Sequence, residues 1–243
     1  NNLKDLYMKP LNKVITNKDT SFNPIWIMRQ AGRYLPEFRE IRKKNPDFIN
    51  LCLNDSLSAE ITLQPLRRFD IDAAIIFSDI LMLPYGLGQN VKFEKNFGPK
   101  LEELDLNDVA KIDEIDFVEK IYPVYKAIKK VSSDPIVKNK NTIGFVGAPW
   151  TLLVYMINLK SPKKNLNENF FKDEFLINRI LLIIEKFLKV HIKNQIDNGA
   201  NIIQIFDSWA GLLEEKDLPN YIYTPTLNLV NYVKSLNVPV ICF

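Results

Sequence analysis

Four arginines follow one another closely near the amino end of the chain, at Arg29, Arg33, Arg39 and Arg42, directly after the apolar run Ile25-Trp26-Ile27-Met28. A guanidinium presents a planar fork that pairs with both oxygens of a carboxylate, which a lysine ammonium cannot do. A buried strand delivering such groups into a loop shaped by Gly32 and Pro36 suits a ligand that carries several carboxylates. The plainer alternative is a strand followed by the solvated basic start of a helix, with Glu37 and Glu40 balancing Arg39 and Arg42. Asp79, Tyr155 and Ser208 are three more polar side chains that lie just past short apolar runs.

Strand-like runs recur at Ile25 to Met28, Ala73 to Phe77, Ile143 to Gly147, Ile202 to Phe206 and Val238 to Phe243. They are short and almost continuously apolar, as parallel strands covered on both faces must be. Helix-length amphipathic stretches separate them, at Leu57 to Phe69, Phe117 to Val131 and, most clearly, Phe175 to Asn198. In the last, Leu176, Ile180, Ile183, Ile184, Phe187, Leu188, His191, Ile192 and Gln195 share one face, and Gly199 ends it as a carboxyl-terminal cap. Residues 1 to 23 read as a short helix and a polar connector.

Strand and helix alternating with long crossovers define an α/β fold, although periodicity alone does not separate a doubly wound sheet from a barrel. In barrels, reacting groups sit just beyond the carboxyl ends of the strands. Arg29, Asp79, the stretch Pro149 to Tyr155 and Ser208 each follow one of the first four runs. Pro149 suits the first turn of a helix, and Tyr155, six residues further on, could project its hydroxyl back towards the strand ends. Ser208 reads either as a hydroxyl donor or as a helix cap ahead of Trp209 to Glu215. His191, the one histidine of the chain, lies mid-helix on the apolar face and reads as structural.

A chain of 243 residues has ample length for a core and reads as one domain. A net charge of +3 is too small to argue for nucleic acid as a partner. The Asn- and Lys-rich stretches Lys138 to Asn141 and Lys160 to Asn169 read as solvated insertions. Cys52 and Cys242 are too far apart in sequence to suggest a metal site or a disulfide framework. No apolar run approaches the roughly twenty residues that span a bilayer. The absence of a Gly-x-Gly-x-x-Gly turn or a phosphate loop lowers the nucleotide-binding readings. The chain opens on Asn1-Asn2, so targeting information in any upstream leader is not visible.

The segment from Pro24 to Arg42, which contains Arg29-Gln30-Ala31-Gly32-Arg33-Tyr34-Leu35-Pro36-Glu37-Phe38-Arg39, closely resembles the signature of the uroporphyrinogen decarboxylases. Three further segments match that family in order: Phe77-Ser78-Asp79-Ile80-Leu81, Gly144-Phe145-Val146-Gly147-Ala148-Pro149-Trp150-Thr151-Leu152 and Phe206-Asp207-Ser208-Trp209-Ala210-Gly211. The resemblance covers nearly the whole chain. It implies a (β/α)8 TIM barrel of which residues 1–243 supply about the first five β/α units as a single, C-terminally incomplete domain. The implied activity is cofactor-independent decarboxylation of four acetate arms on a cyclic tetrapyrrole, a small-molecule substrate, with no metal, nucleic-acid or membrane partner. The family pattern assigns Asp79 to the ring nitrogens, and Arg29 and Arg33 to a carboxylate clamp. Backbone groups of Gln30, Ala31 and Gly32 line the same wall, and Tyr155 and Ser208 meet further carboxylates. Arg29 could also orient the departing carboxylate, while Arg39 and Arg42 would form a rim. Met28, Phe77, Ile80 and Phe206 read as pocket wall or core. A homodimer with facing clefts, in the cytoplasm or a plastid, is also implied.

Family members continue beyond Val238-Pro239-Val240-Ile241-Cys242-Phe243, where a further functional histidine is expected, so residues 1–243 alone are expected to be inactive. Two other readings stand beside this one. Related corrinoid-dependent methyltransferases hold zinc with a His-x-Cys pair, and here Val240 stands where that histidine would be. A non-catalytic fragment would carry a bare sheet edge, a liability for any open barrel.

Overall fold

The computed structural model describes residues 9–94, 96–109, 111–162, 166 and 170–243. Its strands are β1 (Ala73–Ile75), β2 (Val91–Glu94), β3 (Gly98–Leu101), β4 (Asn141–Gly147), β5 (Ile202–Phe206) and β6 (Val240–Cys242). The α-helices, in chain order, are α1 (Pro10–Asn17), α2 (Pro36–Lys44), α3 (Phe48–Cys52), α4 (Asp55–Arg68), α5 (Met82–Gly86), α6 (Leu106–Val109), α7 (Glu114–Ser133), α8 (Pro149–Asn158), α9 (Glu174–Asp197) and α10 (Thr224–Ser235).

β1, β4, β5 and β6 lie side by side in that order, every neighbouring pair parallel, and each crossover contains helix. That is an α/β fold with a parallel sheet, as the apolar runs implied. Alternation sorts the strand residues. Ala73, Ile75, Ile143 and Ile202 face one side with Leu11 of α1, and Trp26, Phe145, Phe206 and Ile241 pack around them. Ala74, Val146, Ile203 and Ile205 face the other side, against Ile128 of α7, Leu152 of α8, Leu188 of α9 and Val233 of α10. Burying each aliphatic side chain of this size contributes about 1.5–3 kcal/mol.

The helices follow the sequence closely. The three amphipathic stretches became α4, α7 and α9, each starting one to three residues earlier than the apolar pattern alone indicates. Side chains explain those starts: Asn54, Asp113 and Asp173 each accept a backbone N–H from the first turn. Gly199 has φ +115°, and Ala200 N–H returns to the Gln195 carbonyl, so α9 closes as expected. An added Cβ at Gly199 would lie 2.2 Å from Ser132 Oγ.

Three readings need correction. Ile25 to Met28 is not a buried strand: the segment joins no ladder, and Ile25 and Ile27 are about 60% exposed. Pro24 lacks an N–H, Ile25 N–H goes to the Asp72 carboxylate at 2.6 Å, and the Gln30 amide occupies the Ala73 carbonyl at 2.9 Å. One backbone bond, Asp72 N–H to the Ile25 carbonyl at 2.7 Å, links the segment to the residue before β1, and beyond it these side chains take the edge that a fifth parallel strand would need. The central sheet therefore has four strands among the described residues, not five. The antiparallel β2–β3 hairpin went unread because Lys92, Glu94, Pro99 and Lys100 break any apolar run.

Asn141 is also not part of a solvated insertion. It is fully buried in β4, where Oδ1 accepts the Leu11 N–H and Nδ2 donates to Asn12 and Asn201 at 2.5 and 2.8 Å. A buried amide is tolerated when its polar atoms are matched in this way. Most of Lys160 to Asn169, and residues 1–8 of the amino-terminal stretch, lie outside the described residues.

Candidate functional site

Because β1, β4 and β5 are adjacent and parallel, their carboxyl ends share one rim. The first part of that rim is set by α4. The Thr62 hydroxyl accepts Phe77 N–H at 2.8 Å, and the Ser58 hydroxyl donates to the Phe77 carbonyl at 2.6 Å. These two bonds finish β1 and direct the chain into the turn that bears Asp79. Phe77 itself packs edge-on against Phe38 and Phe48, so it serves the core beneath the rim.

Asp79 Oδ1 accepts the Leu81 N–H at 2.8 Å, and no described residue hydrogen-bonds to Oδ2. The turn-capping role and an open carboxylate oxygen therefore coexist in one side chain. Burial pushes the Asp79 carboxyl up to about 6, against the lowering pull of the Leu81 N–H and of Arg29. Part of the residue still reaches solvent. An acid held near neutrality in this way, with one free oxygen, has the profile of a functional carboxylate.

Arg29 and Arg33 are both exposed, and neither makes an ion pair with a described residue. Gln30 anchors their loop: the side chain is buried, its amide donates to Ala73, and its Oε1 accepts Ile27 N–H. The Gln30 N–H is spent on the Ile27 carbonyl, and its own carbonyl receives the Tyr34 hydroxyl. The Gln30 N–H is thus engaged within the loop, while its carbonyl oxygen keeps one lone pair beyond the Tyr34 hydroxyl. Ala31 and Gly32 stand half-buried beside it, and Gly32 does not occupy the left-handed region, so the turn does not depend on its lacking a side chain. Arg42 is committed elsewhere, to the Asn45 carbonyl at 2.6 Å and the Phe48 ring. Glu37 pairs with Arg68 rather than with its helix neighbours.

At the β4 and β5 ends, Tyr155 stands in the second turn of α8, six residues after Pro149, with its ring edge-on to Trp209 at 6.0 Å. Ser208 is exposed just past the end of β5 and does not cap the short 3₁₀ turn Ala210–Leu212 that follows, whose N-cap residue is Trp209. Between them lies a contact that the sequence reading missed. The Thr151 hydroxyl donates to Asp207 Oδ1 at 2.7 Å and accepts Trp209 N–H at 3.1 Å. Burial pushes the Asp207 carboxyl up, and hydrogen bonds from Thr151 oppose that shift. Both residues sit inside quoted motifs, but 56 intervening positions hide the pairing.

His191 is structural, as its helical position implied: buried against α7, with Nδ1 2.9 Å from the Tyr125 hydroxyl, and held down to about 3 by burial.

A model of the family described as uroporphyrinogen decarboxylase (URO-D) matches residues 6–243. The chain belongs to the uroporphyrinogen decarboxylase family. A uroporphyrinogen decarboxylase from Campylobacter jejuni is 41% identical over 232 residues, covering 93% of this chain and 68% of the relative. One from Orientia tsutsugamushi is 42% identical, covering 93% and 66%, and one from Agrobacterium fabrum 38%, covering 91% and 65%. The chain thus spans about two thirds of the length of the curated relatives it matches. A solved methyltransferase from Methanosarcina mazei superposes with a TM-score of 0.72 over 96% of this chain and 67% of its own, at 16% identity. That likeness concerns the fold alone.

Proposed function

We propose that the protein decarboxylates uroporphyrinogen III, converting its four acetate arms to methyl groups and yielding coproporphyrinogen III. The observation that carries this reading is Asp79: a carboxylate with one unpartnered oxygen, at a strand end, inside a matching family signature.

A pyrrole can serve as its own electron sink. Protonation of the ring carbon beside nitrogen makes a cation. The bond between the acetate methylene and its carboxylate then breaks, carbon dioxide leaves, and the electron pair flows into the ring, neutralising it as an exocyclic methylene. Protonation of that methylene and loss of the added ring proton restore the pyrrole with a methyl arm, a net exchange of one proton for one carbon dioxide. Because the sink is in the substrate, the step calls for no cofactor.

Asp79 acts on the cationic stage. Its free oxygen accepts pyrrole N–H groups, and its charge favours the cation over the neutral ring, an interaction present mainly in the transition state. A hydrogen bond to a charged group contributes about 1.5–3 kcal/mol before any gain from a dry pocket. Arg29 and Arg33 bind carboxylate arms, since burying several of these unpaired would be prohibitive. Tyr155 and Ser208 donate hydroxyl hydrogen bonds to other arms. A guanidinium does not lose its proton in proteins, so Arg29 orients a departing carboxylate rather than supplying the proton itself.

The four sequential parallel strands with helices on the outer face read as an arc of a (β/α) barrel, held as one domain. The named relatives are bacterial, which favours the cytoplasm over a plastid. A homodimer belongs to the same reading. The methyltransferase alternative draws only on fold, and Val240 stands where a His-x-Cys ligand pair needs histidine. The test is anaerobic incubation of the full-length protein with reduced substrate, followed by chromatography of the oxidised products. Successive loss of carboxyl groups down to the four-carboxylate product supports the reading, and unchanged substrate refutes it.

A further inference from the structure

Asp207 and Thr151 tie together the two rim segments that carry Tyr155 and Ser208, and the proposed chemistry has no use for either of them. Asp207 follows β5 directly, and Thr151 is the third residue of α8. Thr151 gives its one hydroxyl proton to Asp207 Oδ1 and takes the Trp209 N–H on the same oxygen. The Trp150 indole N–H donates to the Trp209 carbonyl at 2.9 Å, and Ala148 N–H donates to the Phe206 carbonyl at 2.7 Å. Each of these bonds runs from the β4–α8 junction to residues 206–209.

The two hydroxyls assigned to substrate are therefore not independent. Tyr155 lies one helical turn beyond Thr151, and its ring rests against Trp209. Ser208 is the single residue between Asp207 and Trp209, both of which Thr151 holds. Asp207 Oδ2 is buried without a partner among the described residues, and Oδ1 is held by the Thr151 hydroxyl. A group that is buried, half-satisfied and committed to one neighbour is costly to keep unless it fixes something.

We propose that Asp207 and Thr151 are positioning residues for substrate: through Trp209 they set the Ser208 hydroxyl against the Tyr155 hydroxyl, forming one wall that receives carboxylate arms. This rests on the decarboxylase reading. Neither residue touches the reacting ring. Because the wall binds arms that do not change during the reaction, loosening it weakens ground state and transition state alike, which raises KM and leaves kcat nearly unchanged.

The test uses the full-length protein and three substitutions, with uroporphyrinogen as substrate and a thermal melt of each variant. Thr151→Val removes the hydroxyl at constant shape, and about a tenfold rise in KM with kcat within about twofold is expected. Thr151→Ser keeps the hydroxyl and restores KM to near the wild-type value, a rescue that a packing role would not show. Should Thr151→Val not fold, Thr151→Ala carries the same expectation. In a Ser208→Ala, Tyr155→Phe background, the valine substitution should raise KM by much less than in the wild type. Unchanged KM in Thr151→Val, an equal rise in Thr151→Ser, or full additivity in the double background would each overturn the proposal. A wild type that releases no carbon dioxide from uroporphyrinogen would instead overturn the decarboxylase reading beneath it.

Discussion

Replacing Asp79 with asparagine should stabilise the protein at neutral pH. Burial lifts this carboxyl from the ordinary 3.8 up to about 6, so the folded state resists its ionisation. Between roughly pH 4 and 6 the folded chain keeps a proton that the unfolded chain has released. Wild-type stability is thus fully present below about pH 4 and declines as pH rises through about 6. The interval from 3.8 to about 6 corresponds to about 3 kcal/mol, at 1.36 kcal/mol per tenfold change in proton affinity. An amide does not titrate, and its carbonyl oxygen can still accept the Leu81 N–H, so Asp79→Asn escapes the penalty up to that amount. The attraction to Arg29 is already contained in that net interval. Urea unfolding at pH 4, 5, 6 and 7.5 measures it, and with slopes of about 1–3 kcal/mol per molar the variant's midpoint should lie about 1–3 M higher at pH 7.5. The gap should close towards pH 4. A variant less stable than wild type at pH 7.5, or a gap independent of pH, would refute the argument from burial.

Two further outcomes follow from named contacts. Tyr125→Phe leaves His191 Nδ1 buried without its hydroxyl partner and should lower stability by about 1–3 kcal/mol in urea titrations with little change in kcat; equal stability would mean the pair contributes nothing. Arg29→Lys and Arg33→Lys keep charge but lose the planar fork, so each should raise KM for the polycarboxylate substrate about tenfold, and unaltered KM in both would remove them from the clamp.

What could be read in the chain depended on how local its cause was. β4 and β5 were legible because Ile143 to Gly147 and Ile202 to Phe206 are covered on both faces and are apolar throughout except at Gln204. α9 was legible because its buried residues recur on one face from Ile177 to Gln195, about five turns, and Gly199 supplies the left-handed stop. Ile25 to Met28 misled because its hydrophobicity suits a strand, while its real state is decided by Asp72 and Gln30 competing for the same edge. Asn141 misled because its partners, Asn12 and Asn201, are 129 and 60 residues away. Asp79 and Ser208 could be picked out from motif and strand end together. The engagement of Gln30 by Tyr34, and the Asp207–Thr151 contact, are tertiary and leave no mark in spacing.

The claim that most depends on measurement is that the Asp79 charge drives the chemistry. The direct measurement is kcat/KM for uroporphyrinogen in wild type and Asp79→Asn, with circular dichroism to verify that both are folded. The account predicts a loss of about 10²–10³-fold at pH 7.5 in the variant, and a wild-type rate that falls on the acid side of about pH 6 as the carboxyl takes up its proton. A folded Asp79→Asn protein that decarboxylates within about threefold of wild type, a difference of less than about 1 kcal/mol in barrier, would contradict it.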